Sequence, residues 1–208
     1  TSYNTNNYFT YTPSLGDKNK LTAVVGMSYL QNDSKQSITN GEQTPSDKVR
    51  NLSVVTSITF ANSTDDRYNF LSYFLRANYA FNDKYLFSAS IRDDGSSRFG
   101  PNNRYGFFPA VSAGWILSDE SFLKNSSFLN FLKLRASWGI TGNAEIGNSS
   151  YFSLYNVSNY PELPGYIAAQ IPNPDLKWEK TAQTDAGVDF GFFNNKLSGE
   201  IDVYYKRT

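Results

Sequence analysis

The chain has 208 residues, enough for one all-β unit, and its 19 Lys plus Arg balance 19 Asp plus Glu, which removes the electrostatic attraction that nucleic-acid binding requires. It has no Cys, so disulfides, thiolate metal sites and cysteine nucleophiles are excluded, and no His, so the commonest general base and the commonest ligand of catalytic zinc are missing. Its excess is aromatic, with 15 Tyr, 16 Phe and 3 Trp set among Asn, Ser and Thr, a mixture that favours strands and turns over helices.

In chain order, Tyr3 to Thr12 and the stripe Leu21, Ala23, Val25, Met27 and Tyr29 read as a strand pair across PSLGDKN. Gln31 to Arg67 reads as a long connection. From Tyr68, YNFLSYFLRANYAFNDKYLFSASIR is a long hairpin: Leu71, Tyr73, Leu75, Ala77 and Tyr79 share one face, and after the turn Tyr85, Phe87, Ala89 and Ile91 resume it. Asp93 to Arg104 is a second connection. Phe107, Pro109, Val111, Ala113 and Trp115 then make an apolar stripe, followed after SDESFLKNSSFLN by Leu132, Leu134, Ala136 and Trp138. Thr141 to Leu176 is the longest connection. The last pair runs from Lys177 to Gly191 and from Leu197 to Lys206, with FFNNK between them.

These eight strands in four hairpins are mostly close to the ~9–11 residues that cross a bilayer at a tilt. Their connections sort into two classes that alternate strictly, short turns at one end and long or irregular loops at the other, as in an outer-membrane barrel. No run reaches the ~18 apolar residues of a membrane helix, but a barrel wall needs none, because lipid-facing and lumen-facing residues alternate. On this reading Leu75, Ala89, Val111, Leu134 and Val188 lie on the convex face, while Arg76, Ser90, Arg92, Ser112, Arg135 and Asp189 face the lumen. With the short turns periplasmic, Tyr79, Tyr85, Trp115 and Phe190 form one aromatic girdle, and Tyr29, Phe107, Trp138, Trp178 and Tyr205 form the other. Lys180, on the otherwise apolar face, is expected to snorkel at the outer rim.

Candidate chemistry is sparse. Asp93, Asp94, Gly95, Ser96 and Ser97 lack the alternating oxygens and the later Glu of a calcium loop. The neighbours Asp65 and Asp66, and Asp119 and Glu120, point to opposite faces of a strand and cannot flank one glycosidic bond. There is no G-x-S-x-G elbow, and GITGN, Gly187 and Gly191 do not make a phosphate loop. No metal, cofactor or catalytic residue is expected.

Three long blocks carry a resemblance. KYLFSASIRDDGSSRFGPNNRYGFFPAVSAGWILSDESFL, LNFLKLRASWGITGN and NPDLKWEKTAQTDAGVDFGFFNNKLSGEIDVYYKRT, in that order, resemble the barrel of SusC/RagA-type TonB-dependent transporters. The resemblance is strong from Tyr68 to Thr208 and general over Thr1 to Arg67. It implies an all-β fold: about eight antiparallel up-and-down strands of a larger transmembrane barrel, with residues 1–208 a partial barrel domain. No plug sequence, TonB-contacting motif or closing strand ending in an aromatic residue is found, so these are expected elsewhere in a parent protein. It further implies import of glycan fragments or peptides across the outer membrane of a Gram-negative bacterium. A SusD-like surface lipoprotein and TonB would be the partners, with lipid around the wall.

Within the chain, the resemblance turns the loop Thr141 to Leu176 outward, toward lid and substrate. Its Tyr151, Phe152, Tyr155, Tyr160 and Tyr166 suit stacking on sugar rings or peptide, and Pro161, Pro164, Pro172 and Pro174 limit the entropy lost on binding. A packed internal core is the bland alternative for these rings. Two other readings stay open: a soluble secreted β-sandwich that binds carbohydrate, in which the apolar stripes face a second sheet, and a barrel enzyme with a carboxylate-only site.

Overall fold

The structure is a computed structural model that describes residues 1–46, 48–49, 51–124, 126–160 and 163–208, the side chains of residues 159, 160 and 164 excepted. Ten strands follow one another: β1 Ser2–Tyr11, β2 Asn19–Glu42, β3 Ser57–Phe81, β4 Tyr85–Ser96, β5 Tyr105–Ile116, β6 Leu129–Asn143, β7 Leu154–Tyr160, β8 Leu163–Gln170, β9 Glu179–Phe192 and β10 Leu197–Arg207. Eight form a single sheet in the order β1-β2-β3-β4-β5-β6-β9-β10, and β7 and β8 pair only with each other. All pairings are antiparallel between neighbours, the up-and-down arrangement expected of a barrel wall.

Register fixes the faces, because residues directly opposite one another across a ladder share a side of the sheet. One continuous row is Ala77, Ala89, Val111, Trp138, Thr184 and Tyr205; the row beside it is Asn78, Ser88, Ser112, Ser137, Asp185 and Tyr204. The apolar row is the more open one. Val111 is 51% exposed and Leu75 44%, while Ser72 on the polar face is 3% exposed. A soluble protein does the reverse. Among the described residues no second sheet covers the apolar stripes, so the sandwich reading is set aside and the stripes belong against a bilayer.

The short connections lie at one end. Asn82 and Asp83 both adopt left-handed backbone conformations, as do Phe193, Asn194 and Asn195, which lets each hairpin reverse within a few residues. At this end Glu120 gathers the wall: its carboxylate accepts from the Tyr85 hydroxyl at 2.8 Å, the Trp115 indole at 3.1 Å and the Lys84 ammonium at 3.3 Å. Tyr85 and Trp115 stack with centroids 6.1 Å apart, a segment of the predicted inner girdle.

The other end departs from expectation. Gln31 to Arg67 is not a simple loop: β2 and β3 continue as a two-stranded ribbon to Glu42 and Ser57, and β4 pairs with β3 only from Phe70 onward. At ~3.3 Å per residue the part beyond β4 projects on the order of 40 Å. Arg67 pairs with Asp33 and Lys35 with Asp65 across it. Both faces are wet, so the sequence has no period-two signal to read. Trp178 differs as well. It is 7% exposed, buried with Phe99, Phe108 and Ala144, and its indole donates to the Arg104 carbonyl at 3.0 Å, rather than facing lipid in the outer girdle.

Two outcomes follow. Val111→Arg places a cation on the lipid face and is expected to cost about 2–4 kcal/mol if this row lies near the midplane, measured as a shift in the refolding midpoint of the intact parent protein in lipid vesicles. At Glu120, the Tyr85 and Trp115 donors, with Lys84, hold the carboxyl below its usual range. Its contribution is therefore complete above the ordinary carboxylate range and lost as pH falls through the lowered value. Hydrogen exchange in the turn after β5 should rise across that acid window, and Glu120→Gln should flatten the dependence.

Candidate functional site

Two regions carry the polar and aromatic side chains that the wall's architecture leaves available: the lumenal face, and the hairpin between β6 and β9. On the lumenal face, one hollow of about 440 Å³ is lined from Lys20 on β2 to Asp185 and Gly187 on β9, which requires the polar face to be the concave one. Arg135, Asp189, Arg76 and Arg92 all belong to this face by register.

They do not form one site. Arg135 is saturated: it reaches Asp189 at 2.8 Å, Asp202 at 2.7 Å and Glu200 at 3.3 Å, with Lys133 also 3.8 Å from Asp189. Gly187 stands opposite both Arg135 and Asp202, and a side chain there would lie 2.2 Å from the Asp202 carboxylate, so glycine keeps the path between these charges open. Nearby, Asp185 accepts from Ser137 at 3.2 Å and Gln183 at 2.8 Å. Arg92 contacts only Asp94, through Nε at 2.9 and 3.0 Å, and Arg76 makes no ion pair among the described residues. Asp94, weighed as a calcium ligand, serves instead as this guanidinium's partner.

The connection from Thr141 to Leu176 holds structure that its sequence does not advertise. β7 and β8 form a hairpin within it, rooted by Gln170, whose side-chain amide donates to the carbonyls of Ser149, Ser150 and Phe152 at 3.1, 3.0 and 2.9 Å. The register, Tyr155 opposite Ala168 and Val157 opposite Tyr166, sets Tyr155, Val157 and Tyr166 on one face. Tyr155 is 63% and Tyr166 77% exposed, so neither ring belongs to an internal core. Tyr151 is separate, half-buried against Phe152 with centroids 4.0 Å apart. The side chain of Tyr160 lies outside the described residues.

The root of the hairpin is a core that sequence reasoning missed. Phe99 from the β4–β5 loop, Phe108 from β5, Ala144 after β6 and Trp178 before β9 are buried together, with Phe70, Ile140, Ile146 and Leu176 against them. Arg98 braces it, donating to Asn148 at 2.6 Å and to the Ala144 carbonyl at 3.0 Å, and lying 4.0 Å over the Tyr68 ring. The signal was the cluster of Phe and Trp next to loop boundaries, where alternation breaks down.

Comparison with known proteins gives a consistent result. The family model described as TonB dependent receptor-like, beta-barrel matches residues 1–208. The TonB-dependent receptor SusC of Bacteroides thetaiotaomicron is 45% identical over 150 residues, 68% of this chain and 15% of that protein. TonB-dependent receptor P39 of Formosa agariphila is 38% identical over 205 residues, 97% of this chain and 20% of that protein. The solved structure of the RagAB peptide transporter superposes with a TM-score of 0.90 at 35% identity, over 99% of this chain and 23% of that one. The chain thus spans about a fifth of the length of these relatives.

The lumenal ion cluster makes its own prediction. Arg135→Met leaves Asp189, Glu200 and Asp202 facing one another without their shared cation, so the intact barrel should unfold at lower denaturant. Adding Asp202→Asn to that variant should recover part of the loss. A double variant no more stable than Arg135→Met would mean that the carboxylates do not repel one another there.

Proposed function

This chain belongs to the TonB-dependent receptor β-barrel family, and from that membership we propose that it is a stretch of the wall of an outer-membrane active importer. The chain is read as one continuous wall domain, residues 1–208, in a parent protein from a Gram-negative bacterium, with the plug that meets TonB elsewhere in that protein. The cargo class is glycan fragments or peptides, and a SusD-like surface lipoprotein serves as lid. The parent protein works by binding and translocation and is not an enzyme.

The observation that carries this reading is the inverted distribution of exposure. An apolar row open to its surroundings on one side and a sheltered ionic face on the other separate hydrocarbon from a polar lumen. The likeness to SusC and to the RagAB peptide transporter supports import as the use of that lumen.

Recognition within this segment is assigned to the β7–β8 hairpin, on the outer side where the long connections lie. Tyr155 and Tyr166 offer two exposed rings on one face, next to Val157, and Asn156 and Ser158 lie on the other face of the same hairpin. Tyr151 and Tyr160, in the same connection, are kept as proposed substrate contacts apart from that face. Aromatic side chains are the usual anchors of such surfaces, each contributing on the order of 1 kcal/mol or more, roughly a fivefold change in affinity.

The test uses the intact importer with its lid lipoprotein. Tyr155→Ala and Tyr166→Ala should leave barrel assembly normal while lowering substrate affinity and energised uptake, each by about fivefold or more. Wild-type affinity and uptake in both variants would reduce the hairpin to a structural cap.

A further inference from the structure

The lumenal face is not uniformly charged: in its middle and outer part Arg76 makes no ion pair among the described residues, the next carboxylates being Asp185, which lines a neighbouring hollow with it, and Glu145, which lines one with Arg92. Arg76 stands opposite Ser90, and Arg92, two residues farther along β4, stands opposite Phe74, so the two arginines are diagonal neighbours on adjacent strands of one face. Like charges so placed repel unless something answers them. Arg135 has three carboxylates within 3.3 Å; Arg76 and Arg92 together have Asp94 alone among the described residues. Asp94 takes only the Nε of Arg92, so its terminal guanidinium nitrogens make no hydrogen bond among the described residues.

These groups surround a cavity of about 630 Å³ whose walls include Phe74, Ser90, Phe108 and Thr141 besides the two arginines and Asp94. Phe74 fits because Gly26 behind it has no side chain; a methyl group there would lie 2.5 Å from the ring. Lys180 is not part of this cavity: its register sets it on the apolar face with Trp138 and Thr184, and its Nζ lies 5.6 Å from the centroid of the Phe108 ring, which lies across the β5–β6 gap. The cavity thus combines guanidinium donors, a hydroxyl pair, one carboxylate acceptor and a ring surface.

We propose that this cavity is a subsite for an anionic group, carboxylate or sulfate, carried on an oligosaccharide. The inference rests on the importer reading above and narrows its cargo. A planar guanidinium suits an oxyanion by paired N–H donors, Asp94 accepts from sugar hydroxyls, and Phe74 offers a face to a sugar ring. A peptide cannot add here as a further strand, because β3 and β4 are paired on both sides, so it would forgo the main-chain ladder and hold only by its side chains or terminus. The β5–β6 ladder stops at Ala110 and Gly139, but the Phe108 ring lies across the gap, 2.1 Å from where a side chain at Gly142 would begin.

The experiment measures binding to the intact importer with its lid by calorimetry. The probes are four oligomers of equal length: an oligogalacturonate, a sulfated galactan oligosaccharide, a neutral galactan oligosaccharide and a glutamate-rich peptide. At least one anionic sugar should bind tenfold or more tightly than the neutral one, and which one distinguishes carboxylate from sulfate. The double variant Arg76→Gln/Arg92→Gln should remove that preference, and Arg76→Lys/Arg92→Lys should retain part of it, with heat-modifiable migration confirming a folded barrel in both. The proposal is overturned if neither anionic sugar is preferred, if the preference survives the glutamine variant, or if the peptide is preferred over both sugars and loses that preference in the same variant. Energised uptake of any probe without charge preference would sink this inference and leave the importer reading standing. Absence of energised uptake for every probe, in a folded wild-type protein, would count against the importer reading itself.

Discussion

Lateral backbone pairing is the interaction on which everything else here depends. In hydrocarbon no water can satisfy an amide, so each strand must give its N–H and C=O groups to its neighbours. The unbroken order from β1 to β6 and on to β9 and β10 does this. Once the main chain is satisfied sideways, the two faces are free to meet different media. The rows of Ala89, Val111 and Trp138 on one side and Ser88, Ser112 and Ser137 on the other then follow from the pleat alone. This is why ordinary measures of a core mislead for this chain: its large apolar side chains are among its most exposed.

That same constraint decides what could be read from the sequence. Wherever the wall separates two media, residues alternate, and the eight strands with their short and long connections were legible from Tyr68 onward and, with a weaker signal, before it. Where a strand leaves the boundary the code disappears. The ribbon made by Ser34 to Glu42 and Ser57 to Asp66 has water on both faces, so nothing selects apolar residues at every second position, and it read as a loop. The β7–β8 hairpin was hidden for the same reason. Trp178 failed differently: its place near a strand end suggested a lipid-facing girdle, but three connections converge on it and bury it. Contacts between loops distant in sequence leave no local period. Of the candidate site, side-chain direction was legible, since Arg76, Arg92, Arg135 and Asp189 fall on the polar face. Their partners were not, because these depend on which strands lie side by side.

The ion pairs show how different levels of one face acquire different characters. Near the short-turn end, Arg135 and Lys133 lie among Asp189, Glu200 and Asp202, and this cluster has more negative than positive groups. Farther toward the long loops, Arg92 has the single carboxylate of Asp94 and Arg76 pairs with none among the described residues. The difference arises from register: β10 brings Glu200 and Asp202 alongside β9, level with Arg135, whereas the strands flanking Arg76 supply Val24 and Ser90. A polar lumen is therefore a patterned surface, and its pattern is set by pairing. A single-residue slip would move each arginine into the bilayer, so the lipid that tolerates no such error also enforces the position of the lumenal charges.

The wall and the loops above it are stabilised by different means, and this separates what must stay fixed from what can vary. The strands depend on their neighbours in the ladder, each satisfied by the one beside it. The outer connections are held instead by a buried core, Phe99, Phe108, Ala144 and Trp178, that sits where they meet the ends of the wall strands. Phe108 belongs to both systems, and Phe70 on β3 and Ile140 on β6 pack against the same core from the wall. Phe108 is a residue of β5, yet its ring packs with the loop core. Changes in the β7–β8 hairpin beyond that core, at positions such as Tyr155 and Tyr166, touch neither the ladder nor the buried cluster. A surface so placed can change its exposed side chains without disturbing the pairing of the wall that carries it.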